Sequence, residues 1–324
     1  MKTILVTGAN GSIGSAIYEV LKKKYNLIKL IRQESTEKNC FNLSTIKNYK
    51  KNIDIIIHLA GRSFKSDPDE LMKISLGIEL LHNFTLIHDD IMDFDDTRRN
   101  VPTLHKKYDV SSAILAGDGI FTISQLILIS LEHQSTKLLQ KYNEMVLEIC
   151  EGQALDKEFE GQGEIELDAY INMVKKKTGA LLGACLCLPA IMQGESSEKV
   201  EKLYNVGKCL GVAFQLQDDI FEIFGDEKVI GKSLGSDISA NKKTAIALIA
   251  NKINSDEWNN LVSEFDGNNL EKIRNFLTVK GINSEVDSLT NTYFHSSFES
   301  LLKLGFNQDS EVYRFFKIIQ GRHS

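Results

Sequence analysis

Residues 86–100, LIHDDIMDFDDTRRN, place Asp89, Asp90, Asp93, Asp95 and Asp96 together with Arg98 and Arg99 in a single short stretch. Upstream, Leu76, Leu80, Leu81, Phe84, Ile87 and Ile91 recur at helical spacing. That periodicity puts Asp89 and Asp93 one turn apart on a common face. Two carboxylates so placed repel each other unless they are solvated or share a cation, and hard oxygen ligands suit Mg²⁺, which prefers to complete its shell with water and substrate phosphates. A second cluster has the same form. In FQLQDDIFEIFGDEKVIGK (214–232), Asp218 and Glu222 stand four apart with Asp219 between them, again where an apolar helix ends. Lys177, Lys232 and Lys242 punctuate the apolar segments near Thr178, Gln215 and Gly231. Lysines in general are solvated surface residues. Their position at helix ends beside polar groups suggests instead cations that meet an anion.

The elements that must carry these groups fall into two styles. From about residue 70 the chain reads as long apolar-periodic helices, expected over 70–92, 108–132, 136–160, 166–193, 197–224 and 242–252, with more toward the C-terminus. Only Pro68, Pro102 and Pro189 interrupt the whole chain. Residues 1–62 differ. TILV (3–6), NLIKLI (26–31) and IDIIIHLAG (53–61) read as strands, with a helical pattern over 15–25 after the first. The polar stretch RSFKSDPDE (62–70) between the two styles predicts a boundary. The organisation expected is therefore a β-α-β unit over 1–62, a linker over 63–76 and a helical domain over 77–324. The fold class is mainly α.

Composition restricts the partners. The chain has 324 residues, 42% hydrophobic and 25% charged, with a formal net charge of −6. That balance offers no broad basic footprint for nucleic acid. Five cysteines without a CxxC pair read as reduced thiols. The first residues lack the pattern of a signal peptide, and no stretch reads as long and apolar enough to span a bilayer. The expected location is cytoplasmic.

Gly8, Gly11 and Gly14 sit between the first strand and the following helix. Glycines there permit a tight turn and close approach to a pyrophosphate at a helix N-terminus. TGANGSIG (7–14), with HLAG (58–61), resembles the opening of the extended short-chain dehydrogenase/reductase family, which implies a Rossmann-like half-sheet and an NAD(P) site. The segment departs from that family at Asn42, where an acid is usual. The Tyr-x-x-x-Lys spacing that the family uses for catalysis recurs in four unrelated contexts, none of them after a fourth strand. The reading that follows is a half-sheet that does not use NAD(P).

The helical part carries a more specific resemblance. LLHNFTLIHDDIMDFDDTRR, LAGD (115–118), EGQALDKEFE (151–160), KKTGALLGA (176–184), FQLQDDIFEIFGD (214–226), GKSLGSDI (231–238) and NKKT (241–244) occur in the order found in the trans-prenyl diphosphate synthases, the farnesyl and geranylgeranyl diphosphate synthase relatives. The resemblance covers residues 77–324. It implies an all-helical isoprenoid-synthase bundle that uses Mg²⁺ as cofactor and isopentenyl diphosphate and an allylic diphosphate as substrates, and a homodimer formed through helix faces. It implies that Asp89, Asp93 and Asp218 hold Mg²⁺ with Asp219 and Glu222 nearby, and that Asp90 supports them. It further implies that Lys177 and Lys242 clamp the allylic diphosphate, that Lys232 closes over the site, and that Arg98 and Arg99 serve the allylic and isopentenyl diphosphates. Thr178 and Gln215 would line the reacting centre, and Phe84 would form the floor that stops growth near a C15 to C20 product. Glu222 stands where the family usually has an aspartate. Family members also carry helices and a Gly-Gly-Lys-x-x-Arg-Pro-like segment before the first acidic motif, and residues 1–76 contain no such segment. Three readings stand: a Mg²⁺-dependent prenyltransferase with impaired turnover, a non-catalytic prenyl-synthase-like subunit, and an NAD(P)-binding epimerase or reductase fragment fused to a helical domain. The impaired form would leave the apolar faces of helices 108–132 and 136–160 partly uncovered.

Overall fold

The computed structural model describes residues 3–7, 26–30, 40–41, 55–58, 68–98, 101–132, 135–225, 234–240, 242–267 and 269–322. Near the N-terminus four short strands, β1 (Thr3–Thr7), β2 (Asn26–Leu30), β3 (Cys40–Phe41) and β4 (Ile55–His58), pair in parallel in the order β3-β2-β1-β4. Ile4 faces Leu27 on one side and Ile55 on the other. These are β-branched and apolar runs, as a sheet interior requires. Gly8, Gly11, Gly14 and the expected helix over 15–25 lie outside the described residues.

The rest is helical. The main elements are α1 (Pro68–Met92), the short α2 (Leu104–Lys107), α3 (Val110–Ile129), α4 (Ser135–Gly161), α5 (Leu167–Val174), a π-helical turn (Lys175–Gly179), α6 (Ala180–Met192) and α7 (Ser197–Phe224). The short α8 (Ser236–Ser239), then α9 (Ala245–Ser263), α10 (Leu270–Val279), α11 (Ile282–Lys303) and α12 (Glu311–Gln320) complete the chain. A two-residue antiparallel ribbon, β5 (Thr97–Arg98) with β6 (Val101–Pro102), follows α1. Side-chain oxygens cap several helix starts: Asp109 accepts from Ser112 N, Ser196 from Lys199 N and Thr244 from Ala247 N.

Two expectations need correction. Residues 68–76 are not linker. They form the first turns of α1, where Ile74 is fully buried, Leu71 packs in the same core, and buried Glu70 accepts a hydrogen bond from Glu132 N at 2.7 Å. The helix expected from residue 70 begins two residues earlier, because Pro fits the first helical turn. Second, by length and composition α3 is apolar enough to cross a membrane, against the expectation that no stretch would be.

α7 is the spine. Val200 and Leu203 join α1, α3, α4 and α6 in one core cluster, Val212 and Leu216 join α5, α9, α10 and α11 in a second, and Val206 and Leu210 join α11 and α12 in a third. Backbones approach closely where α7 passes the π turn: a Cβ on Gly211 would lie 2.4 Å from Gly179 Cα. α3 is different. Ala113, Gly117, Ser124 and Leu128 face inward, while Leu115, Ile123, Leu126 and Ile129 on α3 and Leu147 on α4 are exposed.

Candidate active site

α1 delivers the first acidic motif at its C-terminal end, as the spacing predicts. Beyond Met92 the chain turns through Phe94, at φ 58°, so that Asp95 N donates to Asp90 O and the following residues fold back on the helix end. A non-glycine residue in the left-handed region stores local strain, which fold-back here offsets. Arg98 returns with this turn. Its Nε lies 2.6 Å from buried Asp90 Oδ1, and its Nη2 lies 3.7 Å from both Asp89 and Asp95. Burial raises the Asp90 carboxyl while the Arg98 guanidinium opposes it. Asp90 is thus a buried anchor for Arg98.

Opposite stand lysines from three further elements. The π turn widens the helix at Lys175–Gly179, a geometry often found at functional sites. α4 crosses it so tightly that a Cβ on Gly152 would meet Lys177 N at 2.3 Å. The turn directs Lys177 between Asp89 Oδ1 at 3.1 Å and Asp156 Oδ2 at 2.6 Å. Lys242, just before α9, reaches Asp93 Oδ2 at 3.1 Å, and Lys157 of α4 reaches Asp93 Oδ1 at 3.3 Å. Burial works to raise the Asp93 carboxyl, but Lys242, Lys177 and Lys157 outweigh it and hold it below the usual range. Burial likewise opposes the charge of Lys177 and Lys242, and the facing aspartates hold both above the usual lysine value. The site is internally neutralised, with each carboxylate of the Asp89–Asp93 pair matched by a lysine.

The second acidic motif divides its residues between two tasks. Asp218 pairs with Arg322 of the C-terminal tail at 2.9 Å, and Arg322 also stacks over Phe214. Asp219 is buried and accepts from Tyr170 Oη at 2.6 Å, Ala245 N at 3.0 Å and Gln215 Nε2 at 3.2 Å. Burial pushes its carboxyl up to about 7, against the pull of these donors. Glu222 accepts from Ser236 Oγ at 2.7 Å and Asp237 N at 3.2 Å, which ties α7 to the start of α8. Thr178 Oγ1 donates to Gln215 Oε1 at 3.3 Å, which brings those two residues together. Asp219 and Glu222, expected beside the metal, thus accept protein donors in this structure. Among the described residues no three His, Cys, Asp or Glu side chains converge closely enough to hold a metal ion by themselves. Asp89 and Asp93 nonetheless fit one by chemistry. Asp89 Oδ1 is buried and has no hydrogen bond of good geometry, although Lys177 Nζ lies within ion-pair reach. Such a set suits a cation whose shell is completed by phosphate oxygens.

Phe84 lies one turn deeper than the acids, packed 4.6 Å from the His88 ring and 5.0 Å from the Phe121 ring on α3, with Tyr142 of α4 stacked behind Phe121 at 6.4 Å. Arg99 and Lys232 lie outside the described residues. Spacing alone did not single out Asp156, Lys157, Tyr170 or Arg322. Asp156 and Lys157 stand inside a quoted stretch, but their direction depends on how α4 crosses the π turn. Arg322 has no local signal at all.

The sequence pattern of the polyprenyl synthetases matches residues 39–278. The chain belongs to the polyprenyl synthetase family. The match reaches back past the residue at which the helical domain was expected to begin. The chain is 41% identical over 209 residues to the short chain isoprenyl diphosphate synthase of Methanocaldococcus jannaschii, covering 63% of each chain. It is 31% identical over 265 residues to the geranylgeranyl diphosphate synthase of Sulfolobus acidocaldarius, covering 79% of this chain and 80% of that one. The first of these matches spans less than two thirds of the relative's own length. Among solved structures, geranylgeranyl pyrophosphate synthetase from Pyrococcus horikoshii Ot3 superposes with a TM-score of 0.74 at 30% identity, covering 81% of this chain and 83% of that one.

Proposed function

We propose that this polyprenyl synthetase family member is a Mg²⁺-dependent prenyltransferase that joins isopentenyl diphosphate to an allylic diphosphate, giving a short C15 to C20 product. The observation that carries this reading is the convergence of Lys177, Lys242 and Lys157, from three separate elements, on Asp89 and Asp93. Relatives described as short chain isoprenyl and geranylgeranyl diphosphate synthases support it. A fixed set of cations facing carboxylates is suited to a diphosphate, whose oxygens take the lysines and release the carboxylates. Mg²⁺, held by Asp89, Asp93 and Asp218, would neutralise charge developing on the departing diphosphate.

The residues then divide the work. Lys177 and Lys242 exchange aspartate for diphosphate oxygens, as their exposure to the site allows. Thr178 and Gln215, linked to each other and through Gln215 to buried Asp219, fix the wall beside the allylic carbon. The allylic C–O bond breaks, the double bond of isopentenyl diphosphate forms the new C–C bond, and a proton leaves the resulting cation to the released diphosphate. Arg98 is committed to Asp90 in this conformation, and an allylic-diphosphate role requires it to leave that partner. Lys232 and Arg99 complete the reading as the closing cation and the isopentenyl-diphosphate contact. Residues 1–76 hold no Gly-Gly-Lys-x-x-Arg-Pro-like segment. Loss of two charge-assisted contacts at about 1.5–3 kcal/mol each lowers isopentenyl diphosphate affinity by roughly two to four decades. Condensation by this chain is therefore expected to be slow.

The exposed apolar face of α3, with Leu147 of α4, is the surface we assign to a homodimer. A non-catalytic subunit would use the same face and bind diphosphate without turnover. The parallel order of β1 to β4 is the feature that favours a β-α-β, half-Rossmann reading of residues 1–62. Thermal melts with Mg²⁺ plus pyrophosphate, and separately with NAD, distinguish these readings, since a ligand stabilises by RT ln(1 + [L]/Kd). We expect a shift with the first and none with NAD. Absence of the Mg²⁺–pyrophosphate shift would defeat the proposal. Incorporation of radiolabelled isopentenyl diphosphate then separates a slow enzyme from a binding subunit.

A further inference from the structure

We propose that Lys157 is a positioning residue that keeps one oxygen of Asp93 occupied, and so biases the acidic site toward a small octahedral cation over a larger one such as Ca²⁺. The inference rests on the prenyltransferase reading of Asp93. An ammonium has three protons to donate. Those of Lys157 meet Glu160 Oε1 at 2.7 Å, Met92 O at 3.1 Å and Asp93 Oδ1 at 3.3 Å. The two shorter contacts do not involve Asp93. One is a carboxylate on its own helix; the other is a carbonyl at the C-terminal end of α1, where the helix dipole favours a cation. Lys157 therefore has reason to stay when Asp93 is engaged.

Lys242 is bound differently. It meets Asp93 Oδ2 at 3.1 Å and Asp237 only at 3.9 Å, with a side chain 37% exposed. A diphosphate that recruits Lys242 frees Oδ2, while Oδ1 remains with Lys157. Asp93 then offers a cation one oxygen. Mg²⁺ keeps several waters and accepts such a ligand readily, whereas Ca²⁺ takes six to eight oxygens and gains from carboxylates bound through both.

The test uses the intact chain and inorganic pyrophosphate, titrated calorimetrically at increasing Mg²⁺ or Ca²⁺. In Lys157→Met, freeing Oδ1 should lower the Ca²⁺ concentration for half-maximal pyrophosphate binding about tenfold and the Mg²⁺ concentration no more than about threefold. Lys157→Arg should restore the ratio of the unmodified chain. Lys157→Gln, which retains a donor for Met92 O, repeats the measurement if the methionine variant melts early. An unchanged ratio, an equal fall for both ions, or a rise in either would overturn the inference, because a purely electrostatic or structural role moves both ions together. Failure of the unmodified chain to bind pyrophosphate with either ion would instead overturn the prenyltransferase reading, and this inference with it.

Discussion

Asp218 and Asp219 are adjacent, yet the structure gives them opposite tasks. Asp218 is partly exposed and meets a tail arginine, while Asp219 is buried under three donors. Asp218→Ala, like Asp89→Ala, should abolish Mg²⁺-dependent pyrophosphate binding by calorimetry while leaving the melting of the free protein nearly unchanged. Unchanged binding in either variant would remove that aspartate from the metal set. Asp219→Ala should do the reverse at first sight. It leaves Tyr170 Oη and Ala245 N buried without an acceptor, which costs roughly 2 to 4 kcal/mol of stability by chemical denaturation. A stable Asp219→Ala protein would show that water or another group satisfies those donors.

Between elements, the π turn and the α1–α3 contact set the geometry of the chemistry. Gly211→Ala would push α7 against Gly179, where no side chain can yield. We expect a loss of roughly 1–3 kcal/mol on denaturation and weaker pyrophosphate binding, since Lys177 and Thr178 ride on that turn. Retained binding affinity in a destabilised variant would uncouple packing from the clamp. Phe84 depends on the facing helix as well, because Phe121 and then Tyr142 stack behind it. Phe84→Ala should extend the space below the acids by about one ring and lengthen the product chains seen by chromatography in an active form of this chain. An unaltered product distribution would make Phe84 an ordinary core residue.

For the whole molecule the unresolved demand is the outer face of α3. Leu115 is 70% exposed and Leu126 60%, on a helix whose other side is packed. Exposed apolar patches of this kind mark interfaces. If two copies meet there, Leu115→Glu with Leu126→Glu should shift the protein from dimer to monomer in light scattering, with helix content retained in circular dichroism. A dimer that persists would place the interface elsewhere. The same face accounts for a helix with membrane-spanning length and apolarity in a chain whose relatives include solved synthase structures.

Local spacing determined much of this protein. Apolar periodicity marked the helices now seen at Pro68–Met92, Val110–Ile129, Ser135–Gly161 and Ser197–Phe224, and the i, i+4 acids put Asp89 and Asp93 on one face, because a helix repeats every 3.6 residues whatever packs against it. The linker boundary failed at residues 68–76, where the apolar pattern from residue 70 already marked a helix. Spacing put Asp218 and Glu222 one turn apart with Asp219 beside them, but did not say which of the three is buried. Packing decided which is buried, because Tyr170 and Ala245 arrive from other helices to cover Asp219 and leave Asp218 partly exposed beside Arg322. Lys157 and Arg322 were illegible for the same reason. A lysine's role depends on which carboxylate lies within about 3–4 Å, and that distance is set by helices crossing 64 and 104 positions apart in the chain.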